Sequence, residues 1–158
     1  MIVMFIASFA IQYFGMSSIM VNSMAEITNS LGKAYISVIM ALFMVTAEVV
    51  MHDHQYSVLS TRTYAGVLGF LAIFVYLYRK QIGVGDKQYL EEMIEHHSMA
   101  VLTSKRILEK TSDYNVAKLA KNILQKQEDE IVEMRGVLQS MRQSLRQSLS
   151  QTQDSARS

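Results

Sequence analysis

Two adjacent histidines, His96 and His97, lie in the stretch YLEEMIEHHSMAV and are candidate metal ligands. On a helix, Met93 precedes them by three and four residues and therefore lies near their face. Glu92 lies one turn before His96. Imidazole nitrogens and thioether sulfur together favour copper, especially Cu(I), over magnesium or calcium. The stretch therefore predicts a soft-metal site on a helix.

A second polar group interrupts the apolar stripe of the following helix, in the stretch QKQEDEIVEM. Its candidate ligands are Gln127, Glu130 and Met134. If the two helices pack antiparallel about a turn at 111–115, these residues and both histidines lie at one level and share one site. The alternative interpretation is structural. Glu130 or Gln127 is then the hydrogen-bond partner of His97, and the polar residues hold the helices in register.

The other two histidines, His52 and His54, lie in the stretch MHDHQ. In an extended loop they would point the same way, which predicts a second, weaker metal site. A solvated loop is the alternative interpretation. Glu48 precedes them near the end of an apolar run, and an ionisable residue in such a run is a functional candidate.

Several classes of catalytic site are excluded by residue type and spacing. The chain has no cysteine, and hence no disulfide, thiolate nucleophile or cysteine-ligated zinc. Gly83 and Gly85 follow no strand and do not form a phosphate-binding loop. A ferritin-type di-iron site needs glutamate three residues before histidine, where this chain has Met93 and Ile94. We therefore predict a binding protein and not an enzyme.

Charge is distributed unevenly along the 158 residues, and this difference predicts a membrane anchor. The charged residues of the first half are few: Glu26, Lys33, Glu48, Asp53 and Arg62. Apolar runs at 1–21, 34–51 and 64–78 are close to the length that a helix needs to cross the hydrocarbon core. We predict an all-α, multi-pass membrane protein in which residues 1–82 form three transmembrane helices.

Beyond the anchor, the sequence takes on the pattern of soluble amphipathic helices. Apolar residues recur at helical spacing from Tyr89 to Leu108 and from Val116 to Leu145, with the turn KTSDYN between them. These stripes predict a long helical hairpin over residues 83–145. The polar remainder, 146–158, is predicted to be a disordered tail.

The expected partners are a lipid membrane and further copies of this chain. The apolar stripe of the hairpin is too wide for two helices to cover, which predicts self-association into a bundle of four or more helices. No nucleic-acid partner is expected, because the net charge is +1 and basic residues alternate with acidic ones. The positive-inside rule favours a cytoplasmic hairpin by only a few charges, so the sequence leaves the orientation and the membrane open.

The hairpin sequence resembles a known family, domain of unknown function 305, whose members are helical, often membrane-anchored and grouped with ferritin-like proteins. The family pattern G-D-x-x-[YF]-[ML]-x-x-M-I-x-H-H-x-x-A is matched by Gly85, Asp86, Tyr89, Leu90, Met93, Ile94, His96, His97 and Ala100. A second block is matched by Leu119, Ala120, Ile123, Gln127, Glu130, Ile131 and Met134. Where the family usually has proline, this chain has Glu95, which makes the helix more regular and adds a carboxylate.

The resemblance implies copper binding through histidines and methionines, as in some family members. Together with the spacing, it gives a first hypothesis of a non-enzymatic copper-binding membrane protein. Its ligands would be His96, His97, Met93 and Met134, with Gln127 and Glu130 as supporting or alternative ligands. The second hypothesis is a structural membrane protein whose hairpin is an oligomerisation or scaffold module.

Overall fold

The computed structural model describes residues 1–56 and 61–155, and within these ranges it contains helices and no strand. Three helices come first: Ile2–Met20, Leu31–Tyr56 and Thr61–Arg79, here called the first, second and third apolar helices. Asp86–Leu108 and Tyr114–Ser155 follow as the first and second hairpin helices. The predicted all-α fold, with three apolar helices followed by a hairpin, is confirmed.

Each apolar helix is long and apolar enough to cross a membrane. The first contains a π-helical stretch, Ile11–Met16, and ends where Val21 takes up an extended backbone. The second packs against both of the others, so the three form an apolar bundle. No described residue of the third apolar helix is buried, which is the exposure expected of an apolar helix that lipid surrounds.

A tight turn joins the apolar bundle to the hairpin. Gln81 and Gly83 both have positive φ, 51° and 78°. A side chain at Gly83 would also lie close to Leu31, so glycine is favoured by both the backbone and the space available. The Tyr35 hydroxyl donates to the Ile82 carbonyl at 2.8 Å. The turn therefore brings the start of the hairpin against the start of the second apolar helix.

The hairpin has its own apolar core. Ile94, Val101, Ile131 and Leu138 are buried, and Leu90, Leu124 and Met134 pack against them. At the turn, Asp113 Oδ1 accepts the Val116 N–H at 2.9 Å and caps the second hairpin helix.

The second hairpin helix extends beyond its predicted end. It runs to Ser155, so residues 146–155 of the predicted disordered tail are helical. The remaining tail, 156–158, lies outside the described residues. Leu145 and Leu149 continue the helical spacing, and neither glycine nor proline interrupts the chain after Gly136. The polar composition of this segment therefore suits an exposed helix.

Polar side chains of the first hairpin helix dock it onto the apolar bundle. Gln88 accepts the Leu31 N–H at the start of the second apolar helix. About three turns later, the buried hydroxyl of Ser98 accepts the Asn22 N–H at 2.8 Å and donates to Glu26 at 2.5 Å. The hairpin therefore lies along residues 21–30, the connecting segment between the first two apolar helices.

Glu95 forms the centre of this interface. Its carboxylate accepts hydrogen bonds from the Thr28 N–H at 3.0 Å, from the Lys33 ammonium at 3.3 Å and from the Ser17 hydroxyl. The side chains of Lys33 and Glu95 are each only 12% exposed. Removal of either partner would leave the other charge buried and unpaired, which typically costs about 3–5 kcal/mol.

Gly32→Ala is expected to weaken the docking, because the added Cβ would overlap the Glu92 carboxylate. The buried Glu92 carboxylate would have to move away from Gly32, and overpacking of this kind typically costs about 1–3 kcal/mol against a gain of about 1 kcal/mol in helix propensity. Gly69→Ala is the matched control, since a Cβ there meets open space. Hydrogen exchange in the connecting segment, measured on detergent-solubilised protein, should become faster in Gly32→Ala only. Equal exchange in both variants would contradict the prediction.

Candidate functional site

His97 faces the second hairpin helix. Its Nδ1 lies 2.8 Å from the Met93 carbonyl, and its Nε2 lies 2.8 Å from Oε2 of Glu130. Gln127 donates to the same carboxylate oxygen at 3.4 Å. A carbonyl oxygen only accepts, so Nδ1 is the donor in the contact with Met93. In this arrangement His97 joins the two hairpin helices through its contact with Glu130.

His96 lies on a different side of the same helix and faces the apolar bundle. Consecutive residues on an α-helix are about 100° apart, so adjacent side chains do not point in the same direction. His96 lines a cavity of about 360 Å³ between the first hairpin helix and the first two apolar helices. Four methionines share the lining: Met16, Met20, Met40 and Met99. The other lining residues are Gln12, Ser17, Ser30, Lys33, Ile36, Ser37, Glu92 and Glu95. We call this space the methionine cavity.

The predicted single site for both histidines is therefore corrected. The structure brings His97, Glu130 and Gln127 together inside the hairpin and places His96 at the methionine cavity. Met134 packs against the hairpin core, and Met93 contributes its backbone carbonyl. Among the described residues, no three His, Cys, Asp or Glu side chains are arranged to hold a metal ion.

The second predicted metal site, at His52 and His54, rested on an extended loop, whereas the second apolar helix continues through both residues to Tyr56. Residues two apart on a helix are about 200° apart, so the two rings point to different sides. The His52 ring packs on Tyr56 with centroids 4.9 Å apart. Asp53 accepts a hydrogen bond from the Tyr64 hydroxyl at 2.9 Å and thereby joins the second and third apolar helices.

Glu48 lies one turn before His52 on the second apolar helix. Its Oε1 accepts from the Met1 ammonium at 2.6 Å, and its buried Oε2 has no hydrogen-bond partner among the described residues. The same side chain lines a small cavity with Met4, Met44 and His52. Glu48 therefore holds the start of the first apolar helix against the second.

Glu92 is buried in the wall of the methionine cavity, with 6% of its surface exposed. Burial raises the pKa of Glu92 above its usual range, while His96 lowers it and Glu95 raises it further. The carboxylate packs on the backbone of Gly32, in the first turn of the second apolar helix. The first N–H groups of a helix carry partial positive charge, which moderates the cost of ionising a carboxylate there.

The raised pKa of Glu92 gives the docking a defined pH dependence. The folded state holds the proton of the Glu92 carboxyl more tightly than the unfolded chain does. Glu92 therefore contributes its full stabilisation at pH values below the pKa that it has in the unfolded chain. This stabilisation is lost as the pH rises through the folded pKa. Glutamine resembles the protonated carboxyl and does not titrate, so Glu92→Gln should remove this component.

Thermal unfolding of wild type and Glu92→Gln in detergent, from about pH 4 to about pH 8, measures this component. We expect similar melting temperatures at the acidic end and a growing advantage for the variant as the pH rises. Glu95 and His96 also interact with Glu92, but they are present in both proteins and affect the difference less. Parallel pH profiles would show that Glu92 does not titrate differently in the folded state.

Sequence patterns did not predict which residues of the apolar bundle lie around His96. Periodicity describes each helix separately, and no spacing rule relates an apolar span to a hairpin that follows much later in the chain. A local signal was nevertheless present. Met16 and Met20 are four residues apart, and the polar Gln12 precedes Met16 by four more, so all three lie on one face of an apolar helix.

Comparison with known proteins places the hairpin in a family. Residues 86–158 match the family model described as domain of unknown function (DUF305). Over 137 residues, the chain is 33% identical to uncharacterized protein L153 of Acanthamoeba polyphaga mimivirus. The aligned region covers 87% of this chain and 90% of that protein. This alignment is longer than the hairpin, so the similarity extends into the apolar helices. No solved structure matches the chain. The matched segment begins at the first residue of the first hairpin helix, and the chain belongs to the DUF305 family.

Proposed function

We propose that this protein is anchored in a membrane by its three apolar helices and binds a soft metal ion, Cu(I) foremost, in the methionine cavity. The observation that carries the proposal is the set of donors in the cavity wall. Met16, Met20, Met40 and Met99 line it together with His96. Thioethers and imidazole are the ligands that select Cu(I) over hard cations. The proposed copper site therefore lies at the interface between hairpin and bundle rather than in the hairpin alone.

The charges around the cavity also suit a monovalent cation. Glu95 is already balanced by Lys33 and saturated with hydrogen bonds, so it acts in the fold. Glu92 makes no ion pair with a lysine or arginine among the described residues, and its ionised form would attract a cation into the cavity. The apolar lining strengthens this attraction, because charges interact more strongly where the local dielectric is lower than in water. We propose that the protein holds the ion without catalysis.

Titration of the full-length protein in detergent with Cu(I), against a chromogenic Cu(I) chelator, tests this function. We expect one Cu(I) per chain, bound more tightly than about micromolar, which corresponds to about 8 kcal/mol. Met40→Leu with Met99→Leu should weaken binding at least about tenfold, because two thioether ligands are lost. Leucine nearly conserves the apolar volume, so the fold should tolerate both changes. His96→Asn should weaken binding in the same direction.

Met134→Leu and His97→Asn are the matched controls, because both residues lie in the hairpin away from the cavity. Neither should change the affinity for Cu(I). If His97→Asn weakens binding and His96→Asn does not, the metal lies at the His97–Glu130 pair instead. If the wild type binds no Cu(I) at micromolar concentration, the metal-binding proposal fails.

A second candidate function is a scaffold that self-associates through the hairpin. The observation that favours it is an apolar groove near the hairpin turn, lined in part by Ile107, Val116, Leu119 and Ile123. Leu119 lies in this groove and is 60% exposed. A contiguous apolar surface of this kind gains stability when a second copy covers it. Under this hypothesis, the His97–Glu130 pair fixes the register of the two hairpin helices.

Cysteine substitutions test the scaffold hypothesis cleanly, because the chain contains no cysteine. Leu119→Cys, in the groove, should form disulfide-linked dimers in membranes under mild oxidation. Lys121→Cys is the matched control, since it lies about 200° around the same helix. Dimers from Leu119→Cys alone would support self-association through the groove. Equal cross-linking from both positions, or none from either, would contradict it.

A further inference from the structure

A polar groove of about 620 Å³ lies between the connecting segment and the two hairpin helices. It shares no lining residue with the methionine cavity. The connecting segment contributes Thr28 and Asn29, the first hairpin helix contributes Lys87, and the second contributes Arg135 and Arg142. None of the functions considered above uses this groove.

The groove carries an excess of positive charge. Three of its lining residues are cationic (Lys87, Arg135 and Arg142), and one, Glu91, is anionic. Lys87 lies 3.5 Å from Glu91, and Arg135 lies 3.5 Å from Glu26, so these two charges are partly balanced. Arg142 forms no ion pair with another described side chain. The side chains of Lys87 and Arg135 are about half exposed, which leaves their charged ends accessible to a ligand.

The same cationic face continues along the second hairpin helix. Arg142 follows Arg135 by seven residues and Arg146 follows Arg142 by four, so the three guanidinium groups emerge on one side of the helix. Arg146 lies in the part of the helix that continues beyond the start of the first hairpin helix. An extended ligand surface would therefore meet more than one of these arginines.

The location of the groove indicates the source of an anionic ligand. The connecting segment joins the end of one apolar helix to the start of the next, and Lys87 follows the third apolar helix by a short turn. If the apolar helices cross a membrane, as proposed above, the groove lies at the level of the lipid headgroups. Ile27 adds an apolar contact on the side of the connecting segment.

We propose that this groove binds the phosphate-bearing headgroup of an anionic membrane lipid. Arginine presents a planar set of donors that matches phosphate oxygens in a bidentate manner. Arg142 is the principal phosphate contact, Arg135 and Lys87 add charge, and Asn29 offers an amide donor to the headgroup. The proposal rests on the membrane location of the apolar helices and is independent of copper binding.

Native mass spectrometry of the full-length protein in detergent, titrated with phosphatidylglycerol or phosphatidylcholine, tests the proposal. We expect one phosphatidylglycerol to bind preferentially. Arg142→Gln should weaken its binding about fivefold, and the double variant Arg135→Gln/Arg142→Gln about 30-fold, as each arginine near a membrane surface contributes by this factor. Arg106→Gln is the matched control, because Arg106 lies at the far end of the hairpin and pairs with Glu109.

Three outcomes would overturn the proposal. The first is that phosphatidylcholine binds as well as phosphatidylglycerol, and the second is that the arginine variants retain wild-type affinity. The third is that millimolar glycerol phosphate displaces the lipid completely. The last result would identify a soluble phosphate compound as the ligand. If loss of the Arg135–Glu26 contact unfolds the double variant, Arg142→Gln alone decides the question, since Arg142 has no described ion-pair partner to lose.

Discussion

The hydrogen-bonded ion pair between Glu95 and Lys33 is the interaction on which the rest of the structure depends. It fixes the first hairpin helix against the start of the second apolar helix, and Ser17 and Thr28 complete the shell of donors around the carboxylate. Burying two charges is costly, and this cost is offset only when further hydrogen bonds satisfy them. Both the methionine cavity and the polar groove lie beside this contact and exist only while the hairpin is docked.

Polar docking is well suited to the end of an apolar bundle. If the apolar helices cross a membrane, an apolar face on the hairpin would bury itself equally well against neighbouring lipid and would not specify one position. The contacts of Gln88 with Leu31, of Ser98 with Asn22 and of Ser98 with Glu26 require particular partners at particular distances. Gly32 allows the Glu92 carboxylate to approach the backbone more closely than any other residue would permit. Specificity of position, more than a large gain in stability, is what these groups contribute.

The sequence predicted well those features that follow from helical periodicity and charge distribution. The three apolar helices and the hairpin follow from these patterns, and the antiparallel arrangement brings His97 beside Glu130. The patterns were too coarse to separate His96 from His97, whose directions differ by about 100° although both fit one broad face. The environment of His96 depends on Met16 and Met40, which a non-local packing contact brings to it. Polar composition suggested disorder after residue 145, whereas the regular spacing of Leu145 and Leu149 is that of the helix, which continues to Ser155.

The location of a metal ion would determine what its binding does to the protein. Met16, Met20 and Met40 belong to the apolar bundle, whereas His96 and Met99 belong to the hairpin. An ion bound by both groups favours the docked state by its binding free energy, because undocking would separate its ligands. An ion at the His97–Glu130 pair would instead stiffen the hairpin and leave its docking unchanged, because both residues belong to that hairpin. A metal ion bound in the methionine cavity would therefore make the connecting segment more rigid. A metal ion bound within the hairpin would not.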